Sequence, residues 1–111
     1  MTMRRITVTL LTLSVAGLAL AADTWHTSTI RYVYPQAAGS VVITFDDESQ
    51  ACTSGSNPKY YHIRVGENGV TQEGLEVLYA AALAAHLSGR SVQINFDSSS
   101  SYCWINRLRV L

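Results

Sequence analysis

Residues 60–97 read YYHIRVGENGVTQEGLEVLYAAALAAHLSGRSVQINFD, and this stretch decides the fold. It begins with apolar residues in alternate positions, Tyr61, Ile63 and Val65, a pattern typical of a half-buried strand. An alanine-rich segment follows, in which apolar residues recur at the i, i+3, i+4, i+7 spacing of a helix face. The stretch closes with a second alternating segment, residues 92–97. The sequence therefore predicts a strand, a helix and a strand in this order.

The predicted helix has recognisable ends. Thr71 is a candidate N-cap, because its hydroxyl can accept a hydrogen bond from a backbone N–H of the first turn. Glu73 and Glu76 follow in the first turns, where the helix dipole favours negative charge. Ser88 and Gly89 match the residues with which helices commonly end. We expect the helix to lie between Thr71 and Gly89.

Two further strands precede this stretch. Residues 29–34 and 41–46 both alternate, and a short connection with Pro35 and Gly39 joins them as a hairpin. In the first of these strands, Ile30, Tyr32 and Tyr34 lie on one face and Arg31 on the other, so we expect the apolar face with Ile30, Tyr32 and Tyr34 to point inward. A long polar loop with turn-forming residues then leads to the central stretch.

A fifth strand is predicted over residues 102–110. Its alternation changes phase between Ile105 and Leu108, and we expect a β-bulge there. The order of elements is therefore three strands, a helix and two strands, which is the order of the OB-fold. One helix cannot cover both faces of an open sheet of five short strands, so we predict an α+β fold with a five-stranded barrel. A small α+β sandwich with the same order is the rival.

The N-terminal segment has the features of a cleavable signal peptide. Arg4 and Arg5 supply positive charge, residues 6–20 form an apolar run, and Ala19-Leu20-Ala21 fits a small-x-small cleavage site. A membrane anchor is the alternative, but a run of 15 residues is shorter than the roughly 20 that a spanning helix needs. We therefore predict a signal peptide over residues 1–22, a single domain over residues 23–111, and a secreted or periplasmic protein with no membrane span.

The two cysteines, Cys52 and Cys103, both belong to the predicted exported part. Disulfides persist outside the cytoplasm, and a small domain gains stability from such a covalent link. Free thiols or a metal pair are the alternatives, but two ligands so far apart, with no Cys-x-x-Cys, are a weak metal signal. We predict an intramolecular disulfide between Cys52 and Cys103.

Charge and motif content argue against several functions. Eight basic and eight acidic residues are present, and removal of Arg4 and Arg5 leaves a net charge of about −2. Without a basic run, nucleic-acid binding has little support. The histidines occupy separate elements without metal-ligand spacing, and no Gly-x-Ser-x-Gly is present. We predict a non-enzymatic protein that needs neither metal nor cofactor.

Several segments together resemble the B subunits of subtilase-cytotoxin-type and pertussis-like toxins. They are residues 60–71, the alanine-rich helix, the segment Ser88-Gly89-Arg90-Ser91-Val92-Gln93-Ile94 and the segment Cys103-Trp104-Ile105-Asn106. The resemblance implies an OB-type barrel that is exported, carries a disulfide and forms a homo-oligomer, a ring of five. It further implies binding of a cell-surface glycan and a possible partner, a toxin A-type subunit.

The resemblance also points to a glycan site near the start of the first strand. There it matches Ser28 to a sugar-contacting serine, with Trp25 and His26 as walls of a shallow pocket. Aromatic residues with polar tips are frequent elsewhere too, and such rings can stack on sugars while their polar groups bind hydroxyls. Packing of a small barrel is the other interpretation. The aromatic residues in question are Trp25, Tyr32, Tyr34, Tyr60, Tyr61, Tyr102 and Trp104.

The helix carries small residues around more than one face. Ala80 and Ala84 are four positions apart, so they could let helices of neighbouring subunits approach closely, although high helix propensity explains them equally well. We therefore interpret the chain as a ring-forming, glycan-binding module with Ala80 and Ala84 at the interface. The alternative is a monomeric periplasmic domain that binds or inhibits another protein.

Overall fold

The structure is a computed structural model that describes residues 22–111. The predicted signal peptide lies outside the described residues, apart from Ala22. Five strands and one helix follow the predicted order, and the α+β class is confirmed. They are β1 (Asp23–Pro35), β2 (Val41–Phe45), β3 (Tyr61–Ile63), α1 (Gln72–Ser88), β4 (Ser91–Asp97) and β5 (Ile105–Val110).

The strands form one antiparallel sheet in the order β3-β2-β1-β4-β5. The long β1 is shared between two ladders: residues 23–29 pair with β4, and residues 30–35 pair with β2. The sheet is not closed into a barrel, so our prediction of closure is wrong in this respect. The edge strands β3 and β5 are joined by no ladder, because β3 has only three residues; one backbone bond, His62 N–H to Tyr102 O at 3.2 Å, crosses the gap.

The core lies between the concave side of the sheet and the helix. Phe45, Tyr61 and Phe96 form its centre, with the rings of Tyr61 and Phe96 5.3 Å apart in an edge-to-face arrangement. On the helix, Leu75, Ala82 and Ala85 are buried in the same cluster. Burial also raises the pKa of the Tyr61 phenol, although its oxygen accepts a hydrogen bond from Ser49 N–H at 2.8 Å.

A bulge in β1 changes which of its side chains face the core. Ile30 pairs with Phe45 and Tyr32 with Thr44, so Arg31 is the extra residue. A bulge shifts the alternation by one position. As a result Val33 packs against the core and Tyr34 is exposed, which corrects our prediction that Tyr34 faces inward.

The other local predictions concern the ends of the helix and the last strand. Thr71 Oγ1 accepts a hydrogen bond from Gly74 N–H at 3.0 Å, and Gly89 ends the helix in the left-handed conformation at φ 67°. In β5, Asn95 pairs with Arg107 and Phe96 with Ile105, which leaves Asn106 as the extra residue. Both helix caps and the predicted bulge are confirmed.

The predicted disulfide between Cys52 and Cys103 is present, and it closes a sequence separation of 51 residues. It ties the long loop after β2 to the segment that leads into β5. Cys103 has a positive φ of 48°, which a non-glycine residue rarely adopts. In the part of the chain that the structure describes, no helix is long and apolar enough to cross a membrane.

Candidate functional site

Three side chains line up across the convex side of the sheet. In the register of the ladders, Trp25 of β1 lies opposite Asn95 of β4, and Asn95 lies opposite Arg107 of β5. Directly paired residues place their side chains on the same face. We call Trp25, Asn95 and Arg107 the polar row. Its two outer members are exposed, and Trp25 keeps 48% of its surface in solvent.

The central member of the polar row is buried without a partner. Asn95 is only 1% exposed, and neither its Oδ1 nor its Nδ2 forms a hydrogen bond within residues 22–111. Leaving such a group unpaired costs about 1–3 kcal/mol. An orphaned buried amide therefore demands a physical explanation, and a ligand or water that supplies its bonds is one.

The surroundings of the polar row carry charges of both signs, with Arg107 and Arg109 on one side and the paired residues Asp23 and Asp97 on the other. The neighbouring register row consists of Thr27, Gln93 and Arg109, and Arg109 is exposed like Arg107. At the other end lies Asp97, which is already engaged: Ser99 donates from its hydroxyl at 2.6 Å and from its backbone at 2.9 Å. Desolvation opposes ionisation, but these bonds, with one from Ala22 N–H, hold the pKa of Asp97 below its ordinary value.

Trp25, His26 and Ser28, the residues of the predicted glycan pocket, do not share a face. His26 and Ser28 lie on the side of β1 opposite to Trp25, and both contact the backbone of Asp47. His26 Nε2 lies 2.6 Å from Asp47 O, and Ser28 Oγ accepts from Asp47 N–H at 2.9 Å. His26 also stacks on Tyr61 at 6.1 Å between ring centroids. Both side chains thus hold the start of the loop after β2, and the serine hydroxyl is buried.

A second surface combines most of the aromatic residues that the sequence singled out. Neighbouring rings in this surface lie close together. The ring centroids of Tyr34 and Tyr60 are 6.3 Å apart, Tyr60 and Tyr102 both contact His62, and the stacked rings of Tyr102 and Trp104 have centroids 4.8 Å apart. We call these five residues the aromatic patch. Tyr34 and Tyr102 are about half exposed at its ends, whereas Trp104 is nearly buried beneath Tyr102.

His62 fastens the aromatic patch across the open side of the sheet. Its backbone N–H and its ring Nδ1 both contact Tyr102 O, at 3.2 and 2.8 Å. Because the carbonyl can only accept, the ring nitrogen is the donor. The patch therefore seals the gap between β3 and β5 that backbone pairing leaves open.

The outer face of the helix is apolar. Val77 and Leu87 are 69% and 78% exposed, and the exposed residues Ala80 and Ala84 lie between them at helical spacing. We call these four residues the apolar stripe. The alanines of the predicted interface thus lie on a surface that this single chain leaves uncovered.

Metal chemistry finds no support in the arrangement of side chains. Among residues 22–111, no group of three His, Cys, Asp or Glu side chains is placed to hold a metal ion. His86, for example, contacts the backbone of β1, with Nδ1 at 3.2 Å from Ile30 O.

Sequence reasoning missed two members of the polar row. The alternation of Val92, Ile94 and Phe96 does assign Asn95 to the outward face. It cannot reveal that Asn95 is buried there, because burial depends on which residues of β1 and β5 lie opposite. The sequence did not indicate that Arg107 lies opposite Asn95, because the bulge at Asn106 determines this pairing.

Comparison with known proteins finds the same fold in toxin B subunits. No protein-family model matches the chain, and no curated protein matches it in sequence. Among solved structures, the cholera toxin-like B-subunit from Citrobacter freundii superposes with a TM-score of 0.61 at 15% identity, over 80% of this chain and 86% of that one. Human heat-labile enterotoxin in complex with a blood group A antigen analog gives 0.61 at 12% identity, over 88% and 96%.

A third similar structure is the GM1-bound form of the ECX AB5 holotoxin, with a TM-score of 0.57 at 15% identity, over 80% of this chain and 84% of that one. At such low identity these likenesses establish the fold. The predicted resemblance to toxin B subunits is thereby confirmed as a resemblance of structure.

Proposed function

We propose that this protein is an exported, non-enzymatic subunit that binds an acidic cell-surface glycan through the polar row. The observation that carries the proposal is the buried amide of Asn95, which has no hydrogen-bond partner and lies between an exposed tryptophan and an exposed arginine. A sugar hydroxyl can donate to its Oδ1 and accept from its Nδ2. Because the amide is covered, Trp25 or Arg107 must move aside for the sugar to enter.

The residues around the amide favour a sugar that carries a carboxylate. Arginine binds carboxylates through two parallel hydrogen bonds, and both Arg107 and Arg109 project from β5 next to the row. The indole ring of Trp25 offers a flat surface on which a pyranose can stack. A glycan as the ligand is also supported by solved structures with the same fold, one described as GM1-bound and another as in complex with a blood group A antigen analog.

The pocket predicted from the sequence shares only Trp25 with the polar row. A pocket at Trp25, His26 and Ser28 would lie on both sides of β1, and Ser28 Oγ is occupied by Asp47 N–H. We keep this pocket as a second, testable position for the glycan.

Assembly into a ring of identical subunits, five by analogy with the fold, is part of the proposal. Residues 30–35 of β1 and the outer side of β5 are among the strand segments with a ladder on one side only, so they can pair with a neighbouring chain. The apolar stripe supplies a further uncovered surface, including Ala80 and Ala84. A single shallow site binds at about millimolar Kd, and a ring raises the apparent affinity by roughly 10²–10⁴ through multivalency.

A glycan array with the assembled protein tests the binding site. We expect wild type to retain acidic glycans, Trp25→Ala and Asn95→Leu to lose them, and Tyr102→Ala, in the aromatic patch, to bind normally. Loss of binding on Ser28→Ala alone would move the site to the predicted pocket. Absence of binding to any glycan by assembled wild type would refute the lectin function.

Light scattering tests the assembly separately. We expect a mass several times that of one chain, and dispersal to monomers on Ala84→Glu with the fold preserved by circular dichroism. Gln50→Glu, at an exposed position of the loop after β2, is a control that should leave the mass unchanged. A monomer across micromolar concentrations would contradict the ring and favour the alternative, a monomeric domain that binds or inhibits another protein.

Export through a signal peptide over residues 1–22 is tested by N-terminal sequencing of the protein from its producing cell. The disulfide fits an oxidising compartment. A mature N-terminus near Asp23 supports export, and an intact Met1 contradicts it. The possible A-type partner is tested by co-purification with the assembled protein.

A further inference from the structure

We infer that Asn68 is a site of spontaneous deamidation, through which ageing loosens the aromatic patch. Asn68 is followed by Gly69 in the turn between β3 and α1, and Gly69 is exposed. Both residues have positive φ, 51° and 77°. Deamidation begins when a backbone nitrogen attacks the side-chain carbonyl carbon of the preceding asparagine, and a following glycine offers no side chain to obstruct the attack.

Of the two reacting groups, the nitrogen of Gly69 is free, whereas the Asn68 amide is held by hydrogen bonds, one of them accepted by its Oδ1 from Asn106 Nδ2 at 3.4 Å. Among the hydrogen bonds of residues 22–111, none is donated by Gly69 N–H. A Cβ built on Gly69 would meet nothing within 4 Å, which shows how open the surroundings of the attacking nitrogen are. The turn does restrain the other partner, because Asn68 Nδ2 donates to Trp104 O at 2.8 Å and must release it.

The chemistry needs only water. A bond forms between Gly69 N and Asn68 Cγ, the bond from Cγ to the side-chain nitrogen breaks, and ammonia leaves with the proton of Gly69 N–H. The resulting succinimide is opened by water, either at the backbone carbonyl to give isoaspartate or at the side-chain carbonyl to give aspartate. In either product a carboxylate replaces the amide.

Loss of the amide removes a contact of the aromatic patch. The Asn68 amide and Asp97 N–H both donate to Trp104 O, at 2.8 and 3.0 Å. A carboxylate cannot donate and instead repels that carbonyl oxygen. The turn before the helix thereby loses its attachment to the segment of Tyr102 and Trp104, where the open side of the sheet is sealed.

The other asparagines provide controls within the same molecule. Asn57 is followed by Pro58, whose nitrogen carries no hydrogen, and Asn95 lies in the middle of a buried strand. Asn106 is followed by a bulky residue, Arg107, in β5. Deamidation should therefore concentrate at Asn68 as long as the protein stays folded.

Peptide mapping by mass spectrometry after incubation at mildly alkaline pH tests the site. We expect the mass change of an amide-to-acid exchange in the peptide with Asn68, with isoaspartate as the major product, and no comparable change in the peptides of Asn57, Asn95 and Asn106. An unmodified Asn68, or equal modification of all four, overturns the inference.

The structural consequence is tested with Asn68→Asp, which is one product of the reaction, beside the control Gln50→Glu in the exposed loop after β2. We expect Asn68→Asp to shift the fluorescence of Trp104 in a Trp25→Phe background and to speed amide hydrogen exchange at residues 102–104. Gln50→Glu should change neither. Identical fluorescence and exchange in Asn68→Asp and wild type would refute the proposed loosening.

Discussion

The aromatic patch and the polar row are two outer surfaces of the same sheet, and they differ in how their polar groups are satisfied. In the patch, the ring and the backbone N–H of His62 both form hydrogen bonds to Tyr102 O, so these polar groups are satisfied within the fold. Beside it on β2, the buried Thr44 accepts a hydrogen bond from Tyr32 N–H at 3.2 Å. In the row, the equally buried Asn95 has no partner.

This difference separates a structural surface from a candidate binding surface better than composition does. Both surfaces contain exposed aromatic rings, and rings alone would have favoured the patch, which has more of them. A group that costs stability while it is unpaired, however, has a reason to exist only if something else pairs with it. The comparison therefore supports the polar row, rather than the aromatic patch, as the proposed recognition surface.

The largest expected effect comes from removing the disulfide beside the patch. Replacing both Cys52 and Cys103 by alanine frees a loop of 51 residues, and the chain-entropy model gives a loss of about 4 kcal/mol in the free energy of unfolding. Urea denaturation measures this loss. If the disulfide anchors chiefly the patch, hydrogen exchange should increase first at residues 102–104; equal acceleration in β4 at residues 91–97 would contradict the distinction between the surfaces.

The next largest effect is expected from Thr44→Val, which removes the hydroxyl that accepts the hydrogen bond from Tyr32 N–H. The substitution leaves the part-buried Tyr32 N–H unpaired, and we expect the free energy of unfolding to fall by about 1 kcal/mol. Thr27→Val, at an exposed position of β1, is the matched control and should change stability by less than about 0.5 kcal/mol. Equal effects of the two substitutions would mean that the hydrogen bond to Thr44 contributes nothing.

Asn95→Leu removes an unpaired polar group from the row, whereas Thr44→Val removes a paired one. We therefore expect Asn95→Leu not to lower the free energy of unfolding. It removes an amide that already lacks partners, so the free energy of unfolding should stay constant or rise by about 1 kcal/mol. Thermal unfolding of the variant beside Thr44→Val measures the contrast. A loss as large as that of Thr44→Val would show that Asn95 is paired in solution and would remove it as a marker of the site.

The smallest expected effect is a pH dependence at the end of the row. Because the pKa of Asp97 is lowered in the folded state, its contribution to stability is present above its ordinary value of 3.8 and is lost as the pH falls through the lower folded-state value. The free energy of unfolding of Asp97→Asn should therefore be lower than that of wild type at neutral pH, and this difference should shrink below pH 3.8. A deficit that does not change with pH would mean that Asp97 does not titrate differently on folding.

Much of the fold could be predicted because local patterns determine it. The alternation at Tyr61 and Ile63 and the caps at Thr71 and Gly89 depend on near neighbours in sequence, and each prediction is confirmed. Tyr34 was assigned to the wrong face because one extra residue, Arg31, reverses the alternation. No residue near Arg31 in the sequence predicts a bulge. The prediction of a closed barrel was wrong because the length of β3 depends on pairing with distant residues, which local patterns do not show.

The candidate site was less accessible to prediction. Trp25 stood out by its type, but its companions Asn95 and Arg107 are joined to it only by the register of two ladders. His26 and Ser28 are near it in sequence and yet lie on the opposite side of the strand, a consequence of the twofold alternation of side chains. The identity of a site on a sheet thus depends on pairing, which residue types alone do not specify.

Two of the unpaired strand edges of the sheet also carry a risk of open-ended association. The edge at residues 30–35 and the outer side of β5 are different surfaces, so contact between them joins copies head to tail. A head-to-tail contact closes only when the rotation from one copy to the next divides a full turn evenly; otherwise it continues as an open filament. In the proposed ring, substitutions that tilt β5, above all those of the bulge residue Asn106, are therefore expected to favour an open filament over a closed ring.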